Sequence, residues 1–207
     1  MQIFTFARVS IVNEHFCGTL ISTDKDGAGR DKCPLLKEIP MDIIDFAMQM
    51  EVDGKAHYEK LGEMTPVPEL KKLFSILAAD EEDHYEVMKE MKSGAVVPMA
   101  VSEALETARN IFTTIRLDEG LLSELRTKLD GYRYAIKLEA DSIDLYEEIL
   151  RNVEFKWDNT AVAQLLKLIE EEKKHFTIME NIHDFIAEYD QCLTWRDFEK
   201  IRSSGIV

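Results

Sequence analysis

Apolar residues recur three and four positions apart through most of the chain, and short polar stretches rich in Gly and Pro interrupt them. This spacing is typical of amphipathic α-helices. It predicts four long helices, a short helix in the connection between the second and third, and a helical tail. Their predicted bounds are Asp42 to about Leu61, Pro68 to about Met91, about Ser102–Ile115, Asp130 to about Val153, Asn159 or Thr160 to about Tyr189, and Thr194–Ile201.

The lengths of the predicted connections favour one topology. A turn of about six residues beginning at Gly62 makes the first two helices antiparallel neighbours, and a similar turn pairs the last two. Residues 95–130 form a connection that is long enough to run the length of a ~30 Å helix. We therefore predict an all-α four-helix bundle with one long crossover between the second and third helices.

Residues 1–40 differ from the rest of the chain. They show no helical period and contain five basic and five acidic residues, so residues 41–207 carry the whole formal charge of −15. We expect residues 1–40 to be a flexible leader, or Met41 to be the natural start. The predicted organisation is thus a leader, a bundle over residues 41–190, and a partly helical tail over residues 191–207.

Charge and cysteine content exclude several classes of function. A net charge of −15 argues against a nucleic-acid partner, because such binding needs Lys and Arg to replace counterions. No stretch approaches the ~20 apolar residues of a membrane span, so no membrane partner is expected. The three cysteines, Cys17, Cys33 and Cys192, form no C-x-x-C pair and suit a reducing compartment. We therefore expect a cytoplasmic protein.

Each of the four long apolar stripes contains one glutamate near its middle, and two of them add a histidine three residues later. An unpaired buried carboxylate costs several kcal/mol, so four in one core require compensation. Two divalent cations would supply it, since +4 balances −4. The candidate metal ligands are Glu51, Glu81, His84, Glu139, Glu172 and His175.

The two halves of the bundle repeat this pattern. Residues 50–61 align with 138–149, and residues 79–88 align with 170–179. The alignment superimposes the glutamates, the histidines and a tyrosine of the two halves. A repeated ligand set implies a pseudo-twofold pair of metal ions.

Several other residues attract attention in the same helices. Tyr58 and Tyr146 lie two turns beyond a candidate glutamate on the same face. They are either hydrogen-bond donors to the ligands or plain core tyrosines, and the sequence leaves both interpretations open. We expect His57 and His183 to lie on the surface and Glu171 to be solvated.

The ordered set Glu, E-x-x-H, Glu, E-x-x-H resembles the ferritin-like di-iron carboxylate proteins. Within them, MDIIDFAMQMEVDGKAHYEKL and KLEADSIDLYEEIL are similar to the rubrerythrin branch. The resemblance covers about residues 41–185 and implies a non-haem site with two iron ions, or manganese or a mixed pair. It further implies that the four glutamates ligate or bridge and that each histidine caps one iron.

Two departures from the rubrerythrin pattern bear on function. Rubrerythrins usually end in a rubredoxin module with paired C-x-x-C motifs, which this sequence lacks, so we expect an external electron-donor protein. They also commonly carry a further glutamate one turn after the third-helix ligand, where this chain has Ser142. The serine weakens the case for the family's peroxide-reductase chemistry in this chain.

We also expect the chain to form a homodimer.

Three functions remain open at the level of sequence. The first is an oxidoreductase that reduces a small oxidant, peroxide or dioxygen, with electrons from a separate donor. The second is a ferroxidase that binds and stores iron. The third is a helical bundle whose metal is structural only. Native mass and peroxide turnover would separate the three.

Overall fold

The computed structural model describes residues 43–95, 97–153 and 159–188, and these segments form α-helices without any β-strand. The predicted leader, the Asp42 cap, the C-terminal tail and the three cysteines lie outside the described residues. The helices are α1 (Ile43–Met64), α2 (Pro68–Ser93), α3 (Ala104–Thr114), α4 (Glu119–Arg126), α5 (Leu129–Val153) and α6 (Asn159–Ala187).

The four long helices form the bundle. Helix α1 packs along α2, α5 packs along α6, and the two hairpins meet mainly through α1 and α5. The short helices α3 and α4 belong to the crossover, and both contact α6. The prediction of an all-α, ferritin-like bundle with one long crossover is confirmed. None of these helices is long and apolar enough to cross a membrane, within the segments that the structure describes.

The core consists of two apolar clusters that lie toward opposite ends of the bundle. The α3-side cluster includes Tyr58, Phe74, Ala108, Phe112, Leu125, Tyr132 and Phe185. The opposite cluster includes Ile44, Met88, Tyr146, Leu165 and Leu168. On every long helix the predicted metal ligands lie between the residues of these two clusters, so a polar layer separates them.

The end of α1 differs from the prediction. Gly62 was expected to end the helix, but α1 continues to Met64 and Gly62 is buried within it. A Cβ atom at this position would stand 3.6 Å from the Cβ of Phe74 on α2. The glycine therefore serves the close packing of α1 on α2, and the turn follows two residues later.

The crossover contains a helix that the sequence analysis missed. Asp118 caps α4 by accepting a 2.9 Å hydrogen bond from the Leu121 amide, and Leu122 and Leu125 bury its apolar face. Only Thr127 and Lys128 separate α4 from α5.

This short connection explains why the predicted Asp130 cap is wrong. Thr127 already has helical backbone angles, with φ −69° and ψ −10°, and α5 begins at Leu129. Asp130 therefore lies within the first turn, where its carboxylate pairs with Arg133 at 3.0 Å.

Candidate metal centre

The structure brings the six predicted ligands together in the polar layer. Each of them is at most 3% exposed. Helix α1 contributes Glu51 and α5 contributes Glu139, whereas α2 and α6 each contribute a Glu and a His from one E-x-x-H motif. Residues three apart on a helix share a face, which is why each motif presents both side chains inward. Four of the six, Glu81, His84, Glu172 and His175, offer ligand atoms within 4.8 Å of one another.

The His84 side of the cluster has atoms that converge without hydrogen bonds. His84 Nδ1 lies 2.8 Å from Glu172 Oε1, 3.6 Å from Glu51 Oε2 and 3.7 Å from Glu81 Oε2. Three of these buried atoms, Glu51 Oε2, His84 Nδ1 and Glu172 Oε1, have no hydrogen-bond partner within the described residues. Buried polar atoms nearly always have a hydrogen-bond partner. Three converging buried atoms without one are therefore the arrangement expected of metal ligands.

The His175 side is built in the same way. His175 Nδ1 lies 3.2 Å from Glu81 Oε1 and 3.9 Å from both Glu139 Oε2 and Glu172 Oε2. The two imidazole rings stack with their centroids 5.4 Å apart. Glu81 and Glu172 therefore each turn one oxygen toward His84 and the other toward His175.

This arrangement distinguishes two kinds of carboxylate. Glu81 and Glu172 lie between the histidines, where a carboxylate can bridge two metal ions. Glu51 faces only the His84 side, and Glu139 faces only the His175 side. With two metal ions bound, each position would have one terminal glutamate (Glu51 or Glu139), one histidine and a share of two bridging glutamates (Glu81 and Glu172).

Hydrogen bonds from the tyrosines favour the first of their two interpretations. Tyr58 donates to Glu139 Oε1, and Tyr146 donates to Glu51 Oε1. Each hydroxyl engages one oxygen of a terminal carboxylate, while the other oxygen faces a histidine. Burial raises the pKa of both tyrosines well above its ordinary value, so both hydroxyls remain protonated donors.

Burial and the close approach of several carboxylates shift the pKa values of the side chains in the cluster. Burial and neighbouring carboxylates raise the pKa of Glu51 and of Glu139 well above the ordinary value. Burial also tends to raise the pKa of Glu81, but the hydrogen bond with His175 and the nearby His84 imidazole outweigh it and lower that pKa. Burial lowers the pKa of the histidines, yet the surrounding carboxylates raise it well above 6.5.

The raised pKa values of Glu51, Glu139 and the two histidines favour the protonated forms of these side chains. Ligands must be deprotonated to bind a metal, so metal binding displaces those protons. Carboxylate and imidazole donors suit iron and manganese, and the donor set fits two divalent ions.

The sequence analysis missed Asp80. Its Oδ2 lies 3.3 Å from His175 Nε2 and accepts a 2.5 Å hydrogen bond from Ser102 Oγ in the crossover. The only available signal was the position of Asp80, directly before a candidate ligand on a core-facing helix. Nothing in the local pattern indicated that Ser102 would reach it.

Three expectations about neighbouring residues are wrong. His57 is half-buried and joins α1 to α5, because its Nε2 lies 2.8 Å from the carbonyl oxygen of Gly131. His183 is also half-buried and lies 2.9 Å from a carboxylate oxygen of the adjacent Asp184. Glu171 is only 8% exposed. Glu171 pairs with Lys174, one turn later on α6, at 2.6 Å.

Ser142 is buried at the position where a further glutamate was considered. In the repeat it corresponds to Gly54, which also lies one turn after a terminal glutamate. A Cβ atom on Gly54 would stand 3.4 Å from Cδ of Glu81. Small residues therefore occupy both of these equivalent positions beside the centre.

The fold and the cluster together define a ferritin-like helical bundle with a buried Glu/His centre that could hold metal. Residues 42–119 match the rubrerythrin family model, which confirms the resemblance seen in the sequence. The match spans α1 to α3, with Glu51, Glu81 and His84, whereas the ligands on α5 and α6 lie outside it. Comparison with curated proteins and with solved structures returned no match.

Proposed function

We propose that this chain is a rubrerythrin-like non-haem di-iron protein, an oxidoreductase that reduces peroxide or dioxygen with electrons from a separate donor. One observation carries the proposal. Two buried histidines each face a terminal glutamate, and two further glutamates turn one oxygen toward each histidine.

Iron bound at this centre would supply the redox chemistry, because it can change between the ferrous and ferric states. Four carboxylates and two imidazoles of the chain would hold it. Tyr58 and Tyr146 fix the terminal glutamates by hydrogen bonds. The apolar clusters on both sides of the polar layer keep bulk water away, so its electrostatic interactions remain strong.

The proposal includes a separate electron-donor protein. No C-x-x-C pair occurs in the sequence that could hold a rubredoxin-type iron. The formal charge of −15 favours a donor with a basic docking face, since complementary charge speeds encounter.

We further propose that the chain forms a homodimer in the cytoplasm, which a native mass measurement and fractionation of cells would test.

Stopped-flow oxidation of the anaerobic di-ferrous protein tests the function. We expect peroxide to oxidise the irons faster than dioxygen, with the iron retained as two ions per chain. Faster reaction with dioxygen, followed by mineral formation in a large shell, would replace this proposal with the ferroxidase function. Metal without reaction toward either oxidant would indicate a structural role.

The residue at position 142 provides a further arm of this experiment. Ser142→Glu restores the carboxylate that rubrerythrins commonly carry, and we expect it to raise the peroxide rate. Ser142→Ala is the matched control and should leave the rate near that of the wild type. Both variants are compared only at full iron content. An unchanged rate in Ser142→Glu would show that position 142 takes no part in the reaction.

A further inference from the structure

Among the described residues, one of the two histidines, His175, contacts a carboxylate through the ring nitrogen that faces away from the cluster. His175 turns Nδ1 into the cluster and Nε2 toward Asp80 Oδ2, 3.3 Å away. Asp80 is half-buried and is itself held by Ser102 Oγ at 2.5 Å. The contacts form a chain from the crossover through Asp80 and His175 to the metal-facing nitrogen.

The internal repeat provides a comparison for this chain. The repeat aligns Asp80 with Glu171, since each directly precedes the bridging glutamate of its helix. The two residues have different partners. Glu171 Oε1 lies 2.6 Å from Lys174 Nζ on its own helix, whereas Asp80 reaches across to His175 on α6. The pseudo-twofold symmetry of the ligands is therefore broken in the residues behind them.

The chemistry of imidazole explains why this difference matters. When Nε2–H donates to a carboxylate, the proton is fixed on that nitrogen and the lone pair is fixed on Nδ1. The carboxylate also makes the ligating nitrogen more basic, and removal of such a partner typically costs 10- to 100-fold in metal affinity. In this centre the effect applies to the position next to His175.

We propose that Asp80, held by Ser102, positions His175 and makes its metal position the tighter of the two, so that the two positions fill in order. This inference rests on the proposed dinuclear function. It also connects metal binding to the crossover, because Ser102 Oγ accepts a 3.1 Å hydrogen bond from the Ala104 amide at the start of α3.

The experiment is a titration of metal-free full-length protein with Co²⁺, in which calorimetry and visible absorbance measure the binding. The wild type should take up two ions in two separable steps. Asp80→Asn keeps the shape of the side chain but removes its charge, and it should weaken the tighter step about 10- to 100-fold. Ser102→Ala should weaken the same step by a smaller factor.

Two controls separate positioning from a general loss of charge or stability. Glu171→Gln removes the equivalent charge from the other half and should leave both steps near wild-type values. In a His175→Ala background, Asp80→Asn should cause no further loss, as a double-mutant cycle requires. The unfolding midpoint of metal-free Asp80→Asn should stay near that of the wild type, and its Co²⁺ absorbance should change in the tighter step.

The outcomes separate this inference from the function on which it rests. A wild type that binds fewer than about two Co²⁺ ions contradicts the dinuclear centre itself. Two bound ions with indistinguishable steps, or with a tighter step that Asp80→Asn leaves unchanged, overturns the inference alone. Equal losses in Glu171→Gln and Asp80→Asn would likewise overturn it, because they would show a general electrostatic effect.

Discussion

At the scale of single residues, the four buried carboxylates of the centre each carry a large desolvation cost. Each glutamate of the centre is at most 3% exposed, and a buried ionised group without compensation costs several kcal/mol. The histidines and tyrosines around them satisfy some oxygens, but Glu51 Oε2 and Glu172 Oε1 have no hydrogen-bond partner among the described residues. These oxygens are available to ligate metal ions.

The first prediction concerns the bridging carboxylates. Glu81→Ala or Glu172→Ala should lose at least one of two bound ions, because each side chain turns one oxygen toward each of the two positions. Metal analysis of protein purified without oxygen gives the result. Glu170→Ala, which removes an exposed acid from the same helix, should keep both ions. Full metal content in the Glu81/Glu172 double variant would contradict the ligand assignment.

The second prediction concerns the tyrosine hydroxyls. Tyr58→Phe leaves Glu139 Oε1 without its donor and should lower the free energy of unfolding of the metal-free protein by about 1–3 kcal/mol. Tyr146→Phe should have a comparable effect through Glu51, because the two hydrogen bonds are equivalent in the repeat. Denaturant unfolding measures both.

The matched control for these variants is Tyr134→Phe. Tyr134 is 42% exposed and lies outside the centre, so the loss of its hydroxyl should change stability by much less. If all three variants unfolded alike, the hydrogen bonds to Glu139 and Glu51 would carry no particular share of the stability.

At the scale of elements, the ends of α2 are specified by local chemistry. Pro68 is the first residue of the helix, where a missing amide hydrogen has no cost. Gly94 ends it with φ 83°, a left-handed conformation that L-residues with a side chain rarely adopt. Its amide donates a 3.0 Å hydrogen bond to the carbonyl oxygen of Met91. These boundaries set the length of the helix that contributes Glu81 and His84.

The third prediction tests this helix end. Gly94→Ala should destabilise the protein by about 1–2 kcal/mol, because it forces a Cβ into the left-handed region. No atom of the described residues lies within 4 Å of that Cβ, so the expected cost comes from the backbone. Gly94→Asn should cost less, since asparagine tolerates this conformation better. Thermal unfolding ranks the two variants, and an equal loss in both would argue against backbone strain as the cause.

At the scale of the whole molecule, the polar layer divides the core into two apolar clusters. The residues of both clusters, within the segments that the structure describes, run from Ile44 to Ile186. The bundle thus supplies its own core on both sides of the centre. Residues 1–40, whose sequence shows no helical period, lie outside these segments.

The fourth prediction concerns that segment. A chain that begins at Met41 should keep its unfolding midpoint within a few degrees of the full-length protein and should bind two metal ions. The reason is that a segment without periodic apolar residues contributes little buried surface. Thermal unfolding and metal analysis of both chains provide the comparison. A large loss of stability or of metal would show that the first forty residues pack on the bundle.

The sequence by itself determined the fold class and the four long helices, and it predicted the six residues that meet in the polar layer. These features depend on period and repetition, which are local properties: a glutamate in each apolar stripe and a histidine three residues after two of them. The errors at Gly62 and Asp130 arose because glycine and aspartate have more than one structural use, and only neighbouring helices select among them.

Tertiary structure decided which atoms meet. Tyr58 bonds to Glu139 across 81 residues of chain, and Ser102 bonds to Asp80 across 22. Spacing within a helix indicates which face a side chain occupies, but the partner across the bundle depends on how the helices pack. The division of the glutamates into two that lie between the histidines and two that each face one histidine has the same origin, because it depends on distances of a few ångströms between four different helices.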